Sequence, residues 1–127
     1  MGTFWEFYEF EEADGGKPFA DWLDGLADPK AEGHIEEKIL HAERMEFHNE
    51  NLIKPYKGAL GIFEFKASRK NIMYRPLMCK HPKDGRIFVF LEGAIEVNDK
   101  IKPGHLTRAK NRRNQLLKDH TRAKPRE

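Results

Sequence analysis

The stretch GIFEFKASRKNIMYR, residues 61–75, decides how the rest of the chain is read. In GIFEFKA, side chains of an extended segment alternate between two faces, so Phe63 and Phe65 share one side and Glu64 and Lys66 the other. In the next expected strand, NIMYRPLMCK, Met73 and Arg75 share a face, and Arg69 and Lys70 fall in the loop between the two arms. Such a β-hairpin brings Lys66 near Arg75. Like charges opposite each other destabilise a strand pair, so this pairing calls for Glu64 as counter-ion or for an external anion. The phenylalanines mark the core face, which leaves Glu64 and Lys66 on the open one.

Outward from this hairpin the pattern alternates between two periods. TFWEFYEFE reads as an aromatic-rich strand, and ADGGKP as a turn with Pro18 suited to the first turn of a helix. PFADWLDGLAD places Phe19, Trp22, Leu23 and Leu26 at helical spacing, and a longer helix is expected over 30–47 with Ile35, Ile39, Ala42 and Phe47 inward. The two form an αα-hairpin. After the opening hairpin, RIFVFLEG is a further strand, HPKDGR is a turn through Pro82 and Gly85, and AIEV is a short strand. A closing helix over 106–118 turns Leu106, Ala109, Leu116 and Leu117 to the body. The expected order is β-α-α-β-β-β-(β)-α. This is an α+β fold with a small antiparallel sheet, two helices on one face and the other face partly free. One domain spans 1–118, and 119–127 is a basic tail expected to be flexible.

Composition bounds the class. Within 127 residues, 39% are apolar and 35% charged, with nine Phe and two Trp, too aromatic for a disordered chain. No apolar run approaches the length of a membrane span, and the acidic start lacks the pattern of a signal peptide. One cysteine, Cys79, excludes an intrachain disulfide and fits a reducing compartment, so a cytoplasmic protein is expected. Residues 1–50 hold 4 Lys/Arg against 14 Asp/Glu, 51–99 hold 9 against 5, and 100–127 hold 10 against 2. The formal net charge of +2 therefore conceals an acidic-to-basic gradient. It suits either two complementary surfaces within one fold or a polyanion partner for the later half.

A phosphodiester is one anion that such a surface takes. Arg presents a planar fork to phosphate oxygens and Lys a compact charge. RNA cleavage needs a base for the 2′-hydroxyl, cations for the extra charge on phosphorus and a proton for the leaving oxygen. Glu64, or failing that His105, is the candidate for moving protons, and Lys66 and Arg75 for stabilising charge. Other constellations are weaker. His34, His41 and His48 recur every seven residues, roughly 10 Å apart along a helix, too far for adjacent ligands of one metal, so they read as surface histidines. Cys79 and His81 share a strand face without an orienting carboxylate, and Cys79 reads as a small core residue. No metal site and no cofactor is implied.

Taken together, WEFY at 5–8, PFADWL at 18–23, GIFEFK at 61–66, YR at 74–75, FLEGAIEVNDKIKP at 90–103 and the basic LTRAKNRR at 106–113 resemble the phage-derived HigB-like toxins of the RelE/ParE superfamily. The resemblance covers roughly 5–118. It implies a toxin that cleaves mRNA on the ribosome without a metal and is neutralised by a helix-turn-helix antitoxin. Carried across, it makes Glu64, Lys66 and Arg75 the catalytic residues. Arg69, Lys70, Lys100, Lys102, His105, Arg108, Arg112 and Arg113 become the RNA-binding set. The expected partners are the antitoxin, the ribosome with its message and a possible second copy of the chain, with no membrane. One departure stands out: where the family carries two adjacent basic residues after L-x-G, this chain has Ile95, Glu96 and Val97, with Lys100 and Lys102 following later. That departure motivates an alternative, a catalytically inactive interaction or nucleic-acid-binding module of the same fold. A ParE-like gyrase inhibitor is a third.

Overall fold

In the computed structural model, residues 3–126 are described. The strand β1 (Glu6–Phe10) is followed by α1 (Pro18–Asp24) and α2 (Ala31–Glu43). Then come β2 (Ile53–Pro55), β3 (Phe63–Phe65), β4 (Ala67–Arg69), β5 (Ile72–Tyr74), β6 (Leu77–His81) and β7 (Asp84–Glu92). The chain closes with α3 (Pro103–Lys118), a single 3-10 turn (His120–Arg122) and β8 (Ala123–Pro125). Pro18 and Pro103 open their helices, where the missing N–H has no partner to lose. The fold is α+β, with a six-stranded sheet in the order β2-β3-β6-β7-β1-β8 and a separate hairpin, β4-β5.

The sheet is mostly antiparallel, but β1 runs parallel to β7, with Phe7 opposite Phe88 and Glu9 opposite Phe90. A parallel neighbour needs a long crossover, and everything from α1 to β6 supplies it. The expected antiparallel arrangement therefore holds for β6 and β7, which a short turn joins, but not for β1 and β7. The opening hairpin also divides differently. GIFEFK and NIMYR are not partners along their length: β3 pairs with β2 and β6, and the hairpin is Ala67–Arg69 against Ile72–Tyr74. Lys70 (φ 52°) and Asn71 (φ 64°) form its tight turn in the left-handed region.

Both faces of the sheet are covered, which corrects the expectation of a partly free face. Phe7, Phe65, Phe88 and Phe90 pack with Phe19 of α1 and Ile35 and Ile39 of α2. Phe19 lies flat on Phe90, with ring centroids 3.9 Å apart. On the other face, Phe10, Leu77, Val89 and Leu91 meet Ala109 and Leu116 of α3. Burial on both sides explains why IFVFL in β7 is continuously apolar instead of alternating. Each fully buried Phe or Leu contributes about 1.5–3 kcal/mol to this core. Leu106, Ala109 and Leu116 face the body as expected. Leu117, expected inward, is 55% exposed.

Two further expectations change. The second helix ends at Glu43, and Phe47, expected inward, is 81% exposed. The carboxy-terminal segment is an ordered part of the fold instead of a loose tail: β8 pairs antiparallel with β1, and Arg126 lies over Phe19 and Phe90 and pairs with Glu36 at 2.6 Å. Glu127 of that segment, like Met1 and Gly2 of the expected domain, lies outside the described residues. The short strand expected at AIEV is reduced to a bridge between Ile95 and Tyr74 and another between Val97 and Lys100.

Candidate functional site

Glu64 stands between Phe63 and Phe65, so its side chain leaves β3 on the α3 side of the sheet. The residue is 0% exposed. Burying a carboxylate is costly unless charge and hydrogen bonds compensate it, and three cations converge on it. Arg75 Nη2 donates to Oε2 at 2.6 Å, while Lys54 Nζ and Lys66 Nζ stand 3.7 and 3.6 Å from Oε1. The two lysines supply charge without a hydrogen bond, and Oε1 accepts none from any described residue. Lys54 reaches Oε1 because it is the register partner of Glu64 on β2. Arg75 also donates to Glu96 Oε1 at 2.8 Å. Burial works against the Arg75 charge, but Glu64 and then Glu96 outweigh it and raise its pKa above the ordinary value. Glu64 is thus the counter-ion that Lys66 and Arg75 require. Buried in this way, it does not meet a substrate hydroxyl.

A second carboxylate lies on the same face. Glu64 is opposite Leu77, and Leu77 is opposite Glu92. The two glutamates are therefore two strands apart, roughly 10 Å between Cα positions. The register shifts between Leu77 and Met78, because Met78 pairs with Phe90. This bulge lets Leu91 and Glu92 both face α3, a re-aiming for which bulges are suited. Glu92, 6% exposed, meets one turn after another of α3. His105 Nδ1 lies 2.7 Å from Oε2, Arg108 Nε donates to Oε2 at 2.8 Å, and Arg112 Nη1 donates to Oε1. Arg112 also bonds Glu12 Oε1 at 2.9 Å and the carbonyl of Leu91. Beside this cluster, Gly93 admits no side chain, because a Cβ would lie 2.1 Å from the Trp22 ring.

The expected site residues therefore separate into groups. Glu64, Lys66 and Arg75 form one cluster; His105, Arg108 and Arg112 form the other. Arg69 is elsewhere, paired with Asp28 at 2.8 Å. Lys70 is exposed in the turn of the β4–β5 hairpin, and Lys100 and Lys102 are exposed ahead of α3. Arg113 packs on Gly61, whose φ of +80° and lack of a side chain leave space for the guanidinium. Part of the acidic-to-basic gradient is internal complementarity, as the pairs Arg112–Glu12 and Arg126–Glu36 show.

Lys54 and Glu92 were not singled out from the sequence, and Glu96, noted there as a departure from the family's basic pair, proves to be a partner of Arg75. The charge that ends the apolar run of β7 was a signal for Glu92. Lys54 gave none, since its strand is three residues long and ends in Pro55. Cys79 is buried, and burial pushes its thiol up to about 12, which makes it a poor nucleophile. His34, His41 and His48 do not gather. His48 is half-buried against Trp5 and bonds the carbonyl of Ala42, instead of standing on the surface. Among the described residues no helix is long and apolar enough to cross a membrane. No family model, no curated protein and no solved structure matches the chain.

Proposed function

We propose that the protein is a RelE/HigB-like toxin that cleaves mRNA on the ribosome. The observation that carries this proposal is the convergence of Lys54, Lys66 and Arg75 on one buried carboxylate, in line with the His105–Glu92 pair on the same face. The α+β architecture is compatible with the fold class that the resemblance implies.

In this mechanism Glu64 positions the cations and does not act as the base. His105 takes that part: Glu92 holds Nδ1, which fixes the ring and leaves Nε2 to accept the 2′-hydroxyl proton. O2′ attacks phosphorus, the bond to the 5′-oxygen breaks, and a 2′,3′-cyclic phosphate forms. Lys54, Lys66 and Arg75 stabilise the added negative charge, and an ammonium of the same cluster protonates the leaving oxygen. Arg108, Lys100 and Lys102 hold flanking phosphates. A helix-turn-helix antitoxin would cover this basic surface.

The test is a translation extract programmed with a defined message. Wild type should cut the transcript and leave cyclic phosphate ends, and Arg75→Ala should lower the rate by at least about a hundredfold. Intact transcripts with wild-type protein would overturn the proposal. One observation favours a second reading, binding without cleavage: Glu96 already occupies Arg75. Saturable binding of ribosomes or RNA without any cut would select it. Inhibition of DNA supercoiling would select the gyrase alternative instead.

A further inference from the structure

A cleft of about 140 Å³ opens between α2 and the β4–β5 hairpin, lined by His34, Lys38, Asn51, Lys66, Ser68 and Met73. Four features define its chemistry. Its lining holds two lysines and no carboxylate, although the first fifty residues are strongly acidic. Residues 34 and 38 are one helical turn apart, so His34 and Lys38 present neighbouring groups from the same face of α2. His34 lines the cleft, and its Nε2 is buried with no hydrogen bond from any described residue. Asn51 and Ser68 add side-chain donors at the opening. Lys66 belongs both to this cleft and to the Glu64 cluster, so the two sites share a wall.

We propose that this cleft is a phosphate-binding subsite, which takes a phosphodiester of the bound strand next to the one at the Glu64 cluster. Lys38 and Lys66 supply charge, and Asn51 Nδ2 and Ser68 Oγ donate hydrogen bonds to the phosphate oxygens. A volume of this size admits a phosphate group, and contacts to phosphate hold the backbone without reading sequence. The identity of the strand rests on the RNA function proposed above, whereas the affinity for phosphate does not.

The experiment has two arms on the full chain. In the first, amide spectra are followed during titration with inorganic phosphate, against chloride at equal ionic strength. Shifts should concentrate at Asn51, Ala67 and Ser68 and at the His34 ring, and Lys38→Ala should remove them. In the second, a 2′-O-methyl RNA without terminal phosphates, which cannot be cleaved, is bound by both proteins. Lys38→Ala should weaken it roughly tenfold and reduce the salt slope by about 0.7. Phosphate shifts confined to the Glu64 and Glu92 clusters, or equal RNA affinity for both proteins, would overturn the proposal. Phosphate shifts in the cleft without any RNA affinity would support the anion site and overturn the RNA assignment alone.

Discussion

Glu64 and Glu92 lie in one row across the sheet, each buried and each met by three side chains, Lys54, Lys66 and Arg75 at the first and His105, Arg108 and Arg112 at the second, yet the two are held differently. The partners of Glu92 come from successive turns of α3, and the two contacts to Oε2 measure 2.7 and 2.8 Å. The partners of Glu64 come from β2 and the chain around the hairpin. Only Arg75 makes a hydrogen bond to it, and Oε1 and Arg75 Nε are both left without one among the described residues. A fully bonded buried network fixes one arrangement, whereas a partly bonded one retains electrostatic demand. The Glu92 cluster therefore fastens α3 to the sheet and orients His105. The Glu64 cluster keeps two lysines within reach of an incoming anion.

The largest effect tests this contrast directly. Glu92→Gln removes the charge that three side chains share and should lower unfolding free energy by about 3 kcal/mol in urea denaturation. Glu64→Gln leaves Arg75 paired with Glu96 and the lysines partly exposed, so it should cost about 1–2 kcal/mol. Equal losses would break the comparison. Cys79 offers a reporter, because it is buried on the face covered by α3. With its thiol at about 12 against an ordinary value of 9.0, the thiolate fraction near pH 8 falls roughly a thousandfold. Alkylation of the native protein should be correspondingly slow, faster in Glu92→Gln and unchanged in Glu64→Gln. The smallest effect concerns His81, whose pKa is lowered by burial and then by His120. Its folded state prefers the neutral ring, so stability is full above the ordinary value of 6.5 and declines as the pH falls below it. Denaturation at pH 7 and pH 5 should show this decline, and His81→Gln should reduce it.

The elements with strong local signals were legible in the sequence. Phe19 and Leu23 of α1, Ile35 and Ile39 of α2, and the turn through Pro82 follow from spacing and turn chemistry. Long-range pairing did not. Nothing near β1 indicates that it runs parallel to β7, and a segment as polar as KDHTRAKPRE gave no sign that Ala123 and Arg126 would close the sheet edge. The site was legible by half. Alternation put Glu64, Lys66 and Arg75 together, but placed Glu64 on an open face, because two apolar positions, Ala109 and Leu116, suffice to cover it. Glu92 reaches the same face only through the bulge beside Leu91, which no periodicity shows.

Lys66→Ala offers the most direct measurement, because this lysine touches Glu64 loosely, lines the neighbouring cleft and is not required to hold α3. The rate of transcript cleavage in a translation extract should fall by at least about a hundredfold. Its urea midpoint should stay near that of the wild type. An unchanged cleavage rate, or a loss of rate fully accounted for by unfolding, would contradict the assignment of this cluster as the site that acts on RNA.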